Sequence, residues 1–294
     1  MEILVQQVIT GIAIGGIYAL VALGFVLIYK SSQVLNFAQG QLLMGGAYVG
    51  WLMVMTLNIP FYVAFPLTIA LSAVLGIVIE RLALRPMIGE PIIAVIIVTL
   101  GLSSMLEGVI LGVFGTEIRR IENALPEEPF FIAGAPIPMT YLYSFAIAIV
   151  FVVLFTLFFR YTEMGIAMRA ASDDQQAALS MGISVKTVFM LSWAIAAGVA
   201  GAGGILLGNL AGVNYSLAAI GLTVFPVVIL GGLDSIAGAI IGGLLIGVLE
   251  HLSSAYVDPL VGGGIKYVFP FVVLVVILMI RPYGLFGRPI IERV

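Results

Sequence analysis

Apolar runs of about twenty residues recur along the whole chain, separated by short polar or glycine-rich segments. A bilayer core of about 30 Å needs about 20 apolar residues in a helix, which satisfies its own backbone hydrogen bonds in lipid. The pattern therefore predicts an all-α polytopic bundle of eight or nine transmembrane helices. The predicted spans are residues 5–29, 37–57, 61–79, 92–115, 139–159, 188–212, 217–230, 236–255 and 265–280. The seventh is short and contains Pro226, so it either spans or re-enters as a broken segment.

Basic residues in the short connections predict the orientation, because Lys and Arg accumulate in cytoplasmic loops. The distribution predicts an N-terminus outside the cell and a cytoplasmic C-terminus. Alternate connections hold nine of the twelve basic residues: Lys30, Arg81, Arg85, Arg160, Arg169, Lys186, Arg281, Arg288 and Arg293. The other connections hold Arg119, Arg120 and Lys266.

Composition supports the membrane assignment. Hydrophobic residues make up 62% of the 294 residues and charged residues 9%, against about 45–50% and about 25% in soluble domains. No polar block is long enough to fold alone, so residues 1–294 are predicted to form a single membrane domain. Its longest connections are an external loop at about 116–137 and a cytoplasmic loop at about 160–187. The net charge of −3 argues against nucleic-acid binding.

Small residues recur at four-residue spacing within the spans, where they let helix backbones approach closely in lipid. They predict tight helix packing, and the alternative is that some stripes let helices slide during gating. The positions are Gly11 and Gly15 in the first span, Ala196, Ala200, Gly204, Gly208 and Gly212 in the sixth, and Gly238 and Gly242 in the eighth.

The chain lacks the sequence elements for nucleotide hydrolysis or metal binding. No lysine follows a glycine, so there is no phosphate-binding loop ending in Gly-Lys-Ser/Thr. His251 is the only histidine and cysteine is absent, which excludes a His- or Cys-rich metal cluster. Glu107 is the clearest acidic residue inside a span, whereas a proton-coupled carrier typically has several. We therefore predict no catalytic residue, no metal and no cofactor bound by this chain.

The cytoplasmic loop carries the signals of a short helix. Ser172 and Gln175 have the spacing of a capping box, and the two aspartates after Ser172 fall where the helix dipole favours acids. Gly182 offers a left-handed stop. The pattern predicts a helix over residues 173–181, too short and too polar to span. Its small face either seats in a groove of a soluble partner or lies on the membrane surface, and that face holds Ala177, Ala178 and Met181.

Three segments carry motifs that resemble one family. The cytoplasmic loop contains Gly165-x-Ala167-x-Arg169-Ala170, followed by Ala177-Ala178 and Gly182-Ile183. Residues 15–49 contain Asn36-Phe37-Ala38, and residues 231–250 read GGLDSIAGAIIGGLLIGVLE. Together these motifs resemble the LivH-type permeases of ABC importers of the branched-chain amino acid class, and the resemblance covers essentially the whole chain.

The resemblance implies a bacterial or archaeal plasma (inner) membrane protein that works with several partners. These are a second, LivM-type permease subunit, two cytoplasmic ATPase subunits that bind ATP and Mg²⁺, and an external solute-binding protein facing residues 116–137. The loop at 160–186 would convert closure of the ATPases into helix movement. The residues expected to couple to the ATPase are Gly165, Arg169, Ala170, Asp173, Asp174, Ala177, Ala178, Met181 and Gly182.

Uncharged polar groups on the spans are expected to line the translocation path, since a zwitterion must pass without being trapped. The candidates are Asn36, Gln39, Gln41, Thr99, Ser103, Ser104, Glu107 and Asn209. Each could equally make an interhelical hydrogen bond. The predicted function is import of branched-chain or other hydrophobic amino acids. The alternatives are a urea or short-amide ABC permease, an ion-coupled secondary carrier, or a channel-like or structural membrane protein.

Overall fold

The computed structural model describes residues 1–122 and 124–287, and its regular structure is almost entirely helical. The helices are α1 Glu2–Ser32, α2 Gln39–Trp51, α3 Phe61–Ile79, α4 Ile92–Phe114, α5 Met139–Tyr161, α6 Glu163–Asp173, α7 Gln175–Ser180, α8 Val185–Ala211, α9 Ile220–Gly231, α10 Ile236–Tyr256, α11 Asp258–Val261 and α12 Ile265–Ile280. A π-helical turn, Leu52–Thr56, continues α2. Another, Glu80–Leu84, and the 3₁₀ turn Arg85–Met87 continue α3, and the 3₁₀ turn Tyr215–Ala219 leads into α9. The predicted cytoplasmic residues Arg288 and Arg293 lie outside the described residues.

The predicted spans coincide with helices, which confirms a helical membrane protein. Within the described residues, six helices are long and apolar enough to cross a membrane: Glu2–Ser32, Phe61–Met87, Ile92–Phe114, Met139–Tyr161, Val185–Ala211 and Ile236–Tyr256. The seventh and ninth predicted spans correspond to two shorter apolar helices, Tyr215–Gly231 and Ile265–Ile280. The second corresponds to α2, which begins with the polar sequence Gln39-Gly40-Gln41.

Proline and glycine set several of the helix boundaries. Pro60, Pro91 and Pro138 stand directly before α3, α4 and α5, where a missing N–H removes no helical hydrogen bond. Gly115 and Gly212 follow α4 and α8 with φ of 75° and 84°, a region that side chains with a Cβ rarely enter. These residues determine helix boundaries that hydropathy alone defines only to within several residues.

One strand pair departs from the all-α prediction. In the predicted external loop, β1 (Pro129–Ile132) pairs antiparallel with β2 (Ala135–Pro138). The two residues between them both have positive φ, as tight hairpin turns require. The side-chain amide of Gln6 donates a hydrogen bond of 3.1 Å to the carbonyl of Pro136. The hairpin and the N-terminus therefore lie at the same end of the bundle.

The centre of the bundle is formed by α1 and α8. Of the 18 most apolar consecutive residues of each helix, 94% are buried in α1 and 83% in α8, against 17% in α4. Glycines allow the closest approaches: a Cβ on Gly247 would lie 2.5 Å from the Cα of Gly15. The glycines predicted to pack closely on α1, α8 and α10 do so, which confirms the tight-packing interpretation. Gly212 is the exception, because it lies beyond the end of α8.

Neighbouring helices alternate in direction. Gly24 of α1 lies against Ala196 of α8, whereas Val21, one turn earlier, lies against Gly203, so α1 and α8 are antiparallel. Helix α10 is also antiparallel to α1, because Gly243 lies against Ala19 and the later Gly247 lies against the earlier Gly15. Because α8 and α10 run in the same direction, residues 212–235 must return across the bundle. The 3₁₀ turn and α9 make that return.

The crossing of α2 and α8 gives a first testable prediction. A Cβ added to Gly46 would overlap the Cα of Gly201 on α8, and backbone atoms cannot rotate away as a side chain can. We expect Gly46→Leu to destabilise the chain by about 1–3 kcal/mol or more and to lower its thermal unfolding midpoint in detergent. The matched control is Gly108→Leu on α4, where a Cβ has no neighbour within 4 Å. Equal loss in both variants would contradict this packing.

Candidate functional site

The α6–α7 segment lies at the opposite end of the bundle from the hairpin. The hydroxyl of Thr162 caps α6 by accepting a hydrogen bond of 3.0 Å from the backbone N–H of Gly165. The side chain of Asp174 caps α7 by accepting from the N–H groups of Gln176 and Ala177 at 2.8 and 2.9 Å. The segment is therefore two capped helices in succession.

This arrangement corrects the helix predicted over residues 173–181. The extended backbone of Asp174, with φ of −156° and ψ of 109°, ends α6 at Asp173 and starts α7 at Gln175. Asp174 takes the capping role predicted for Ser172, because an aspartate at this position satisfies two orphan N–H groups at once. The resulting helix α7 has six residues.

Several of the predicted coupling residues hold the segment to its own chain. Arg169 donates hydrogen bonds to the carbonyls of Phe159 and Arg160, and so satisfies free acceptors at the end of α5. Gly165 is buried against the same helix end, where a Cβ would collide with backbone carbonyl groups. The carbonyl of Ala170 accepts the N–H of Asp174 at 3.1 Å. These residues position the segment under α5.

The rest of the predicted set divides between a buried side and an exposed side. Ala178 is buried and faces the bundle, contrary to the prediction that it belongs to a partner-facing surface. The predicted stop at Gly182 is confirmed, since its φ is 85° and its N–H binds the carbonyl of Leu179. Asp173, Asp174, Ala177 and Met181 are exposed.

Two exposed apolar side chains lie at the end of α7, one within the helix and one directly after it. Leu179 is 57% exposed and Met181 82% exposed. They lie at an end of the bundle, beside the exposed polar residues Gln176 and Ser180. We call Leu179 and Met181 the α7 apolar pair. Sequence reasoning missed Leu179, because a helix of six residues is too short to show a periodic apolar pattern.

Asn36 and Gln39 fix the start of α2 within the bundle. The Asn36 amide donates to the Gln39 side-chain oxygen at 3.1 Å, and the Gln39 amide donates to the Ala196 carbonyl on α8 at 3.2 Å. Asn36 is 1% exposed and Gln39 0%. The two side chains therefore join the start of α2 to α8.

A second polar group lies between α2 and α4. The Gln41 amide nitrogen donates a hydrogen bond of 3.3 Å to a Glu107 carboxylate oxygen, while the Gln41 amide oxygen is buried without a partner among the described residues. Ser103 and Ser104 both donate to the carbonyl of Leu100 on their own helix. A Cβ at Gly101, Gly108 or Gly112 would meet nothing within 4 Å. These α4 residues thus lie on or beside a face that this chain leaves uncovered.

The remaining predicted path residues lie at two further places. Asn209 lines a cavity of ≈ 620 Å³ near the hairpin end, together with Arg120, Glu122 and Glu127, and its amide nitrogen has no partner among the described residues. Thr99 is buried, and with Asn36 it lines a cavity of ≈ 210 Å³ at the α7 end. The predicted residues therefore do not form one continuous path within this chain.

In residues 1–122 and 124–287 no group of three or more His, Cys, Asp or Glu side chains is placed to hold a metal ion. The site has the chemistry of hydrogen-bonded amides, hydroxyls and one half-buried carboxylate, Glu107. Such groups can hold or pass a polar solute.

Comparison with known proteins gives consistent matches over almost the whole chain. A family model described as "Branched-chain amino acid transport system / permease component" matches residues 7–278. The high-affinity branched-chain amino acid transport system permease protein LivH of Salmonella typhimurium is 33% identical, over 98% of this chain and 97% of that protein. The corresponding BraD of Pseudomonas aeruginosa is 31% identical, over 98% and 97%.

An archaeal protein and a solved structure extend the comparison. The probable branched-chain amino acid transport permease protein LivH of Methanocaldococcus jannaschii is 31% identical, over 91% of this chain and 88% of that protein. The structure of PsaBC from Streptococcus pneumoniae in complex with Fab aligns with 94% of this chain and 91% of that chain, at a TM-score of 0.48 and 15% identity.

Proposed function

This chain belongs to the branched-chain amino acid transport permease family, and from that premise we propose that it is the membrane-spanning subunit of a binding-protein-dependent ABC importer. The proposed solutes are branched-chain or other hydrophobic amino acids. The names of the relatives support these solutes over urea or short amides. The structural observation that carries the proposal is the α7 apolar pair, exposed at the end of a short capped helix at one end of the bundle.

The ATPase subunits are proposed to dock on α7. Leu179 and Met181 would be solvated at a cost unless another protein covers them, so we propose that an apolar groove of the ATPase receives Leu179 from α7 and Met181 from the position directly after it. Arg169 and Gly165 hold α6 firmly to the end of α5. A partner that moves α7 would therefore also displace the transmembrane helices. ATP and Mg²⁺ would be bound by that partner.

The proposed topology has nine crossings, with the N-terminus outside and the C-terminus in the cytoplasm. It is supported by the alternating helix directions, by the return of residues 212–235 across the bundle, and by Lys30, Arg85 and Arg160 at the α7 end. The proposed location is a bacterial or archaeal plasma (inner) membrane, as for the relatives' family.

Cysteine accessibility provides a direct measurement of the topology, because the chain has no native cysteine. We expect Glu2→Cys to react with a membrane-impermeant maleimide in intact cells. Lys186→Cys should react only after the membrane is opened. Both positions are exposed in the structure, so a difference reports the side of the membrane. The reverse pattern would overturn the proposed orientation.

The second permease subunit, of the LivM type, is proposed to cover the open face of α4. Glu107 is a half-buried carboxylate on α4, and only 17% of the 18 most apolar consecutive residues of that helix are buried. A carboxylate facing hydrocarbon is costly, so such residues normally face protein or a water-filled space. The uncovered glycines Gly101, Gly108 and Gly112 would let a neighbouring backbone approach closely.

A variant of α4 separates packing within the chain from assembly. We expect Gly108→Leu to leave the unfolding midpoint of the isolated chain unchanged and to weaken its association with the second permease subunit. The measurement is the amount of partner retained when the tagged chain is purified. Leu260→Ala on α11 serves as the control for tag and expression, since the Leu260 side chain is 83% exposed. Full retention by Gly108→Leu would exclude this face as the interface.

The external solute-binding protein is proposed to contact the hairpin end. Phe131 is 65% exposed on β1 and Ile118 is 68% exposed in the same loop. Arg120 and Glu122 nearby offer charges of both signs around the ≈ 620 Å³ cavity. A protein that delivers a zwitterionic solute would meet apolar and charged contacts here.

The function is tested by ATP hydrolysis of the complete complex in proteoliposomes. We expect leucine, isoleucine or valine, presented with the solute-binding protein, to stimulate hydrolysis, and urea to leave it at the basal rate. Stimulation by urea and not by leucine would reassign the solute. Solute flux through this chain alone, without ATPase subunits, would instead indicate a secondary carrier or a channel.

A further inference from the structure

The ≈ 210 Å³ cavity at the α7 end brings together elements that are distant in sequence. Its wall includes Ile28 near the end of α1, Val95 and Thr99 on α4, Trp193 on α8, and Asn36 in the connection before α2. With a liquid water occupying about 30 Å³, the space corresponds to about seven waters. It can therefore hold one small solute.

The lining of this cavity is apolar on some sides and hydrogen-bonding on others. Ile28, Val95 and Trp193 supply aliphatic and aromatic surface. Asn36 donates one amide N–H to Gln39, and its second amide N–H remains available as a donor. Thr99 donates its hydroxyl proton to the Ile96 carbonyl, and its oxygen keeps lone pairs as an acceptor. The same division, with a polar end and a branched apolar end, characterises an aliphatic amino acid.

Asn36 and Thr99 carry no charge, and the one carboxylate of the lining, Glu90, is exposed. Uncharged hydrogen-bonding groups inside the cavity suit passage of the solute. A zwitterion has a carboxylate that needs donors and an ammonium that needs acceptors, and amide and hydroxyl groups provide both. A buried ion pair with the protein would hold the solute more tightly, and tight uniform binding slows release. The cavity thus combines apolar selectivity with polar contacts that permit release.

Gln175 connects this cavity directly to α7. It is the first residue of α7, it lines the cavity, and its amide donates a hydrogen bond of 3.3 Å to the carbonyl of Ser31 at the end of α1. The α7 apolar pair lies only four to six residues further along, after the same Asp174 cap. A partner that pulls or tilts α7 would therefore move a wall of the cavity without any intervening element.

We propose that this cavity is a binding site for a branched aliphatic amino acid near the cytoplasmic exit, and that Gln175 is the positioning residue that opens and closes it with α7. The proposal rests on the proposed function, because it takes the solute class and the ATPase partner from it. It adds a place where the solute is held within this single chain and the residue that transmits the movement.

The binding site is tested by solute protection of a single cysteine in the complete complex. Val95→Cys is placed in the cavity wall of the cysteine-free chain, and a membrane-impermeant maleimide is added to inverted vesicles. At leucine tenfold above its Kd, labelling should slow about elevenfold, since only the empty fraction reacts. Glutamate and lysine should give no protection. The matched control is Arg81→Cys, exposed on the π turn after α3 and outside the cavity, whose labelling leucine should leave unchanged.

The role of Gln175 is tested by the effect of nucleotide on the same reporter. ATP with vanadate should change the labelling rate of Val95→Cys when Gln175 is present. In the double variant Val95→Cys/Gln175→Ala, the labelling rate with nucleotide should equal the rate without it, so that their ratio is about one. Loss of a residue that only stabilises the fold would leave this ratio unchanged. An unchanged ratio would overturn the role of Gln175.

The outcomes separate this proposal from the proposed function. If the complex imports leucine but leucine does not protect Val95→Cys, or Val95→Cys never reacts while Arg81→Cys does, the cavity is not the solute site and the importer assignment stands. If the complex stimulates neither hydrolysis nor uptake with any branched-chain amino acid, the proposed function fails.

Discussion

Replacing Arg85 by methionine is expected to lower the free energy of unfolding by about 3–5 kcal/mol, the cost of leaving a buried charge without its partner. Arg85 binds Glu80 through two hydrogen bonds of 3.1 and 2.9 Å. The Glu80 side chain is only 1% exposed. Removing the guanidinium leaves its carboxylate buried with no counter-charge.

The measurement is the unfolding midpoint of the purified chain in detergent, and the control is the double variant Glu80→Gln/Arg85→Met. It removes both charges, so it should recover most of the stability lost in the single variant. Equal losses in the single and double variants would show that the pair does not carry this part of the fold. Sequence reasoning used Arg85 only as an orientation signal and missed its partner five residues earlier.

Replacing both Leu179 and Met181 by aspartate is expected to abolish docking of the ATPase. Burying an apolar side chain contributes about 1.5–3 kcal/mol, so loss of the α7 apolar pair removes about 3–6 kcal/mol. That corresponds to a reduction in affinity of about two to four orders of magnitude. The measurement is a titration of the ATPase onto the purified permease in detergent.

The control for this variant has the same chemistry at the other end of the bundle. Leu57, after the π turn that follows α2, is 56% exposed, against 57% for Leu179. Leu57→Asp introduces one of the two added charges, at the exposure of Leu179, and it should leave ATPase affinity unchanged. Comparable losses in the two variants would assign the effect to added charge or misfolding, and would remove α7 as the docking site.

The spans were predictable because lipid imposes a single solution on long apolar runs. Proline and glycine at the boundaries, such as Pro91 and Gly115, agreed with that solution. The small-residue stripes predicted close packing correctly, since in lipid there are few other uses for glycine in a helix. The family resemblance rested on motifs spread over the whole chain, and the comparisons confirm it.

The details of the α6–α7 segment were not predictable from local signals. Ser172 and Asp174 are both good caps, and the choice depends on the backbone at Asp174, which the packing of α6 under α5 determines. For the same reason sequence could not tell that Arg169 satisfies the end of α5. It also could not tell that Ala178 rather than Leu179 faces the bundle, because a helix of six residues is too short for a periodic pattern.

The candidate path residues show a similar limit. A polar residue in a span is equally compatible with a helix contact or a solute contact, and only the neighbours decide. Asn36 and Gln39 bind each other and α8, whereas Gln41 and Glu107 lie beside an uncovered face. Thr99 lines the cavity near Gln175, which no spacing in the sequence indicates, because the two positions meet only in the folded chain.

Uptake of labelled leucine into proteoliposomes tests the central claim that ATPase subunits drive this chain through α7. The complex of this chain, its second permease subunit, the ATPases and the solute-binding protein is assayed with and without ATP. The account predicts uptake that requires ATP, disappears in Leu179→Asp/Met181→Asp, and persists in Leu57→Asp. ATP-independent uptake by this chain, or full ATP-driven uptake with the α7 apolar pair replaced, would contradict it.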